Sequence, residues 1–287
     1  MGRHRRVAAA LALAAGLMLA GCGALPAAVP GSAAGDDTGD GADTSPEVTL
    51  PPGDALPDYQ LGGAYDPPAG VGVVGRDRAA EPARGVYSIC YVNGFQTQPG
   101  ELSDWPDDLL LRPGGEVAFD PDWPDEALLD TSTADRRSRI AAIVGPWIEG
   151  CAASGFQAVE FDNLDSYTRS QGALDLDDNL ALAALLVTVA HDAGLAAGQK
   201  NAAEDAAELR ERAGFDFAVT EECAAYDECG AYAAVYSEHV IDIEYTDELP
   251  RPFAELCRAD DAPRSMVLRD RELRTPRDAG YAFAACP

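Results

Sequence analysis

The chain has 287 residues, 47% of them hydrophobic, and a formal net charge of −28 from 49 acidic against 21 basic residues. That is enough chain and apolar content for one large domain. The acidic surface excludes nucleic acids and acidic polysaccharides as partners and suits a cationic one.

Arg3, His4, Arg5 and Arg6 precede an apolar run from Val7 to Ala20, too short for a membrane span and built like a secretory leader over residues 1–21. Leu19-Ala20-Gly21-Cys22 has the pattern of a bacterial lipobox. The expectation is a lipid on Cys22, anchoring the mature chain outside the cytoplasmic membrane without spanning it. Residues 22–57, rich in Ala, Gly, Asp, Pro, Ser and Thr, cannot bury a core and are expected to be a disordered tether, with the folded domain over 58–287.

Beyond Cys22, the cysteines are Cys90, Cys151, Cys223, Cys229, Cys257 and Cys286, an even set for an oxidising compartment. Three disulfides are expected among fifteen connectivities, with Cys223 and Cys229 close enough for a local staple. No C-x-x-C spacing occurs and the histidines are only His4, His191 and His239, so neither a metal site nor a cofactor is expected.

Buried apolar runs predict strands at Tyr59–Leu61, Val71–Val74, Val86–Val92, Phe156–Asp162, Leu195–Gln199, Phe215–Glu221, Val240–Glu244 and Ser265–Leu268. Helical patterns fall at Ala134–Ala153, Asp177–Ala193, Ala202–Ala213, Ala224–Val235 and Phe253–Cys257. Strands alternating with helices over this length predict a (β/α)8 TIM barrel, stabilised by disulfides, and no Gly-rich phosphate loop follows the first strand. The irregular stretch Phe95–Thr133 is expected to overhang the barrel mouth, where Trp105 and Trp123 could stack on sugar rings or pack as ordinary loop residues.

In a barrel, the C-terminal strand ends surround the site. Alternation puts Glu160 and Asp162 on one face and Val159 and Phe161 on the other, although Asp162-Asn163 also reads as a solvated turn. Glu221 and Glu222 end the sixth strand, Asp242 and Glu244 the seventh, and Lys200-Asn201 follow the fifth. Carboxylates around a lysine suit glycoside hydrolysis, in which one acid protonates the leaving oxygen and another attacks the anomeric carbon or activates water. Gly-x-Ser-x-Gly and a Ser-His-Asp arrangement are missing, which disfavours acyl transfer.

Taken together, Tyr59-Gln60-Leu61, Ile89-Cys90-Tyr91, Glu160-Phe161-Asp162-Asn163 with Tyr167, Lys200-Asn201, Thr220-Glu221-Glu222-Cys223, Tyr226-Asp227-Glu228-Cys229 and Glu244-Tyr245 resemble glycoside-hydrolase family 114. These are endo-α-1,4-polygalactosaminidase-like TIM barrels. The resemblance implies Asp162 and Glu221 as the catalytic pair and a cationic, galactosamine-containing polysaccharide as substrate. The expected roles are Asp162 as nucleophile and Glu221 as general acid/base, with the exchanged order open. Gln60, Tyr91, Glu160, Asn163, Tyr167, Lys200, Asn201 and Glu244 are assigned to substrate binding; Glu160, Lys200 and Glu244 alternatively form a buried charge network, and Tyr91 and Tyr167 alternatively pack. Phe161 and Thr220 stand where the family often has Pro and Asn, and Val73-Val74-Gly75-Arg76-Asp77 replaces a Tyr-Asp-x-Asp pattern. The rival functions are a lipid-anchored carbohydrate-binding protein without turnover and a barrel glycosidase for another glycan.

Overall fold

The computed structural model describes residues 48–286; the leader, Cys22 and most of the expected tether lie outside them. Eight parallel strands follow one another in chain order: β1 (Leu56–Tyr59), β2 (Val71–Asp77), β3 (Tyr87–Asn93), β4 (Ala158–Asp162), β5 (Ala196–Lys200), β6 (Phe217–Glu221), β7 (Val240–Tyr245) and β8 (Ser265–Arg269). All eight expected strands are present, and the fold is a TIM barrel. A ninth, β9 (Phe283–Ala285), pairs antiparallel with β8; at three residues it is too short to show a period. Folded structure starts earlier than Asp58. Leu56 and Pro57 already belong to β1, Pro51 is buried, and its carbonyl lies 2.9 Å from His239 Nδ1.

Strand alternation divides the apolar residues into two cores. Tyr59, Val73, Ile89, Ala158, Ala196, Phe217, Val219, Ile241, Ile243 and Val267 fill the lumen. Val92, Val159, Phe161, Ala197 and Ala218 face the helices. Bulky rings fit inside because glycines stand opposite them: a Cβ on Gly75 would come within 2.6 Å of the Tyr59 ring, and one on Gly198 within 2.5 Å of Phe217.

Helix α1 (Ala134–Ser154) buries Ile140, Val144, Ile148 and Cys151 at four- and three-residue spacing. Thr133 accepts the Arg136 N–H at its start, and Gly155, at φ 97°, ends it in the left-handed conformation glycine adopts without strain. Helix α2 (Leu176–Asp192) opens on a capping box between Asp175 and Asp178. The helix expected over Ala202–Ala213 is instead a 3-10 turn, a short α turn α3 (Ala206–Glu208) and a π-wound stretch Leu209–Ala213, because Ala202 is left-handed at φ 62°. The one expected from Ala224 starts only at α4 (Cys229–Tyr236), since the Cys223–Cys229 disulfide closes the intervening turn. α5 (Phe253–Leu256) is a single turn. Cys90 on β3 pairs with Cys151 on α1, and Cys257 with Cys286.

Where β8 lies beside β1, side chains close the barrel. The fully buried Arg269 guanidinium donates to Asp58 Oδ1 at 2.6 Å, to the Tyr59 carbonyl and to the carbonyls of Arg274 and Ala282.

Candidate active site

Three adjacent strands end in charged residues whose side chains point up the lumen: Asp162 on β4, Lys200 on β5 and Glu221 on β6. The residue after each, Asn163 (φ 63°), Asn201 (φ 51°) and Glu222 (φ 61°), is left-handed. Asn tolerates that region; a glutamate there stores strain. The three turns carry the backbone away and leave the charges at the mouth.

Lys200 Nζ lies 2.9 Å from Glu221 Oε2 and 3.6 Å from Asp162 Oδ2. Each carboxylate has further donors. Asp162 accepts the Tyr91 hydroxyl at 2.8 Å and the Asn163 N–H at 2.8 Å. Glu221 accepts the Tyr245 hydroxyl and Asn201 Nδ2, and its own N–H donates to Asn201 Oδ1 at 2.8 Å. Glu160, two residues below Asp162 on the same face, is fully buried.

Burial penalises every charge in this cluster, and the neighbours decide which charges survive. For Lys200, burial lowers the pKa, but Asp162, Glu221 and Glu160 together raise it well above the usual lysine value. For Glu221, burial is outweighed by the Lys200 ammonium and the Tyr245 hydroxyl, so its carboxyl sits below its usual range. Glu160 goes the other way: burial pushes it up to about 8. Burial and then the acids beside them also raise Tyr59 and Tyr91, so both keep their hydroxyl protons.

The mouth opens into a cleft of about 660 Å³ lined by Tyr91, Asp162, Asn163, Lys200, Asn201, Glu221 and Tyr245. Its far wall is the Phe95–Thr133 segment, which contributes Gln98, Asp120, Asp122, Trp123 and Glu126 and so does overhang the mouth. Trp123 is 64% exposed, whereas Trp105 packs edge-on against Trp147. Gln96 bonds Asp120, Asn93 bonds Glu126, and Arg169 reaches across to Asp120 at 2.7 Å. Burial, with Asp162 nearby, pushes Glu126 up to about 7.

Four residues expected at the substrate lie elsewhere, the first being Glu160, buried beneath the cleft. Gln60 is tied between Asp58 and Arg76 beside the closing seam. Tyr167 hydrogen-bonds Asp205 at 2.9 Å and packs near Leu111, Leu128 and Leu174. Glu244 faces outward, holding the Ala224 N–H at 2.8 Å beside Asp242, which holds the Cys223 N–H and the Thr220 hydroxyl. Burial raises both carboxyls, Asp242 further by the charge of Glu244, and the pair clamps the turn after β6 through these backbone contacts. The sulfurs of Cys223 and Cys229 near Asp242 are spent on their disulfide and offer no thiolate for a metal. Conversely, Tyr245, Glu126, Arg169 and Arg271 line the cleft without having been assigned to it. Strand parity gave no signal for Tyr245, because every residue of β7 is buried.

A TIM barrel with carboxylates gathered about one lysine at its C-terminal mouth is the architecture of a glycoside hydrolase. The chain belongs to Glycoside-hydrolase family GH114, whose profile matches residues 40–287, and it is a glycoside hydrolase. Its fold is similar to that of Ega3 from Aspergillus fumigatus, solved in complex with galactosamine, at 21% identity and a TM-score of 0.68 over 84% of this chain and 98% of that one. It is also similar to the glycoside hydrolase domain of PelA from Pseudomonas aeruginosa, at 16% identity and a TM-score of 0.52 over 77% of this chain and 96% of that one. No curated protein sequence matches this chain.

Proposed function

We propose that the protein cleaves α-1,4-linked, galactosamine-containing polysaccharide, with Asp162 and Glu221 as the catalytic carboxylates. The observation that carries this reading is the single Lys200 ammonium in contact with both acids at the mouth. Since both oxygens touch one nitrogen, at 3.6 and 2.9 Å, they lie within about 6.5 Å of each other, which favours the closer spacing of retaining hydrolases. Glu221, held as a carboxylate by Lys200 and Tyr245, suits attack on the anomeric carbon. Asp162 then protonates the leaving oxygen and later activates water, the exchanged order that the sequence left open.

The cleft supports an amine-bearing substrate. Asp77, Asp122 and Glu272 add further acidic side chains to its lining. Its other cations are already engaged, Arg169 by Asp120 and Asp165, and Arg271 by Glu222 and Asp247. Protonated amino sugars bring the missing positive charge. Trp123 offers a ring face at the rim for stacking. Three disulfides support folding in an oxidising, extracytoplasmic compartment, where a lipid on Cys22 would hold the barrel at the membrane.

The test is reducing-end release from partly deacetylated α-1,4-galactosamine polymer by the parent, Asp162→Asn and Glu221→Gln. Expected is turnover in the parent and a loss of at least about a thousandfold in each variant. A folded parent that binds the polymer without cutting it would support the carbohydrate-binding alternative. Azide rescue of Glu221→Ala and Asp162→Ala separates the roles: the nucleophile variant yields a glycosyl azide of inverted configuration, and the acid/base variant one of retained configuration.

A further inference from the structure

We propose that Glu160 is a positioning residue that carries a proton in the working enzyme, and that losing this proton pulls Lys200 away from the catalytic carboxylates. The proposal rests on the assignment of Asp162 and Glu221 above. Glu160 does not line the cleft. It is fully buried beneath it, and among the described residues neither of its carboxyl oxygens has a hydrogen-bond partner. Lys200 makes its ion pairs to Asp162 and Glu221, and among the described residues no basic group lies within ion-pair distance of Glu160. A buried carboxylate with no hydrogen bond and no ion-pair contact is more costly than the neutral acid.

The surroundings agree strand by strand. From β1 comes the Tyr59 hydroxyl, itself without a hydrogen-bond partner, and from β3 comes Tyr91, whose hydroxyl is committed to Asp162. β2 offers only Gly75, where a Cβ would lie 3.6 Å from Glu160 Oε1. Asp162 on its own strand and Glu221 on β6 bring further carboxyl groups and no positive charge, while Tyr245 on β7 donates to Glu221. Arg269 on β8 is turned to Asp58. Among the described residues Lys200 is therefore the one cation facing three acids, and its charge is shared by the upper two. Burial, partly offset by Lys200 and the nearby Tyr59 hydroxyl, places the Glu160 carboxyl at about 8. Above that pH the proton leaves to solvent. A third carboxylate below Lys200 then competes for the ammonium, and Glu221 and Asp162 lose the charge that balances them.

Two measurements on the purified chain test this. The first is an infrared titration from pH 5 to 10, subtracting Glu160→Gln from the parent. A carboxylic-acid C=O band present in the parent at pH 6.5, absent from the variant and fading with a midpoint near 8 is expected; no such band at pH 6.5 overturns the proposal. The second is the pH profile of kcat, chosen because free substrate amines titrate in kcat/KM. The alkaline limb of the parent is expected to move up by at least one pH unit in Glu160→Gln, and a limb that stays in place overturns the proposal. The amide matches the neutral acid in size and charge, so a Gln variant that fails to fold also counts against it. A parent that shows the infrared band but cleaves no galactosamine polymer would refute the substrate reading and leave the proton on Glu160 established.

Discussion

Replacing Lys200 by Met removes the one cation between Asp162 and Glu221 and keeps the apolar stem. At contact distances of 2.9 and 3.6 Å and an effective dielectric near 20, the gross Coulomb attractions are about 6 and 5 kcal/mol. Desolvation of the ammonium offsets much of this, so the net cost of stranding the acids is about 3–5 kcal/mol. For a domain of this size that lowers Tm by about 6–20 °C. Lys200 has its folded pKa raised, so its stabilisation is complete below the unfolded lysine value of about 10.4 and lost only as pH rises through the folded one. Glu221 has its folded pKa depressed, so its contribution is present above about 4.3 and lost as pH falls through the folded value. From pH 5 to pH 7.5, below the loss of the Glu160 proton, the parent therefore keeps the whole bridge. In Lys200→Met, Glu221 keeps its burial without its cation, its pKa rises, and the penalty accumulates as pH climbs from about 4.3 to that new value. Thermal melts of both proteins at pH 7.5 and pH 5 check this: the Tm gap should be wide at pH 7.5 and narrower at pH 5. A drop under about 2 °C at pH 7.5, or a gap that widens on acidification, refutes the reasoning.

Trp123→Ala should raise KM for the polymer by about five- to tenfold, with kcat and Tm little changed, because the ring is largely exposed; an unchanged KM removes Trp123 from the substrate path. Glu126→Gln should gain stability relative to the parent between pH 5 and pH 8, by about 1–3 kcal/mol, because an acid raised to about 7 costs stability once pH exceeds its unfolded value; denaturant melts at the two pH values decide. Gly75→Ala should destabilise by about 1–3 kcal/mol, since the new methyl meets the Tyr59 ring, and an undiminished Tm would show that the ring moves freely. Cys22→Ser should release the chain from membranes into the medium, and retention in the membrane fraction refutes the anchor.

The eight barrel strands were legible because each is a nearly continuous buried run bounded by polar or glycine-rich turns. Asp162, Lys200 and Glu221 were legible as strand ends for the same reason. What the runs do not reveal is parity. In β7, Ile241, Asp242, Ile243 and Glu244 are all buried, so the sequence offers no choice between an inward Asp242-Glu244 pair and the outward pair that is found. Tyr245, on the opposite parity, goes to the cleft instead. Gln60 was misplaced because β1 ends at Tyr59, one residue before it. The cleft wall was legible only as irregular chain. Its order rests on long-range contacts, such as Arg169 on Asp120, which carry no local period.

The seam at Arg269 has a consequence for how the molecule comes to exist. Its partner Asp58 is 211 residues away, and the cleft draws its lining from both flanks of the seam, Leu61 and Gly62 on one side and Arg271 and Leu273 on the other. A chain emerging from its N-terminus can pair β1 to β7 in turn, yet it has no finished barrel until β8 arrives. Catalytic competence is thus acquired late and at once. A chain cut before Ser265 should show no cooperative unfolding and no turnover, whereas a permutant that joins the seam covalently and opens a helical connection elsewhere should fold faster than the native order.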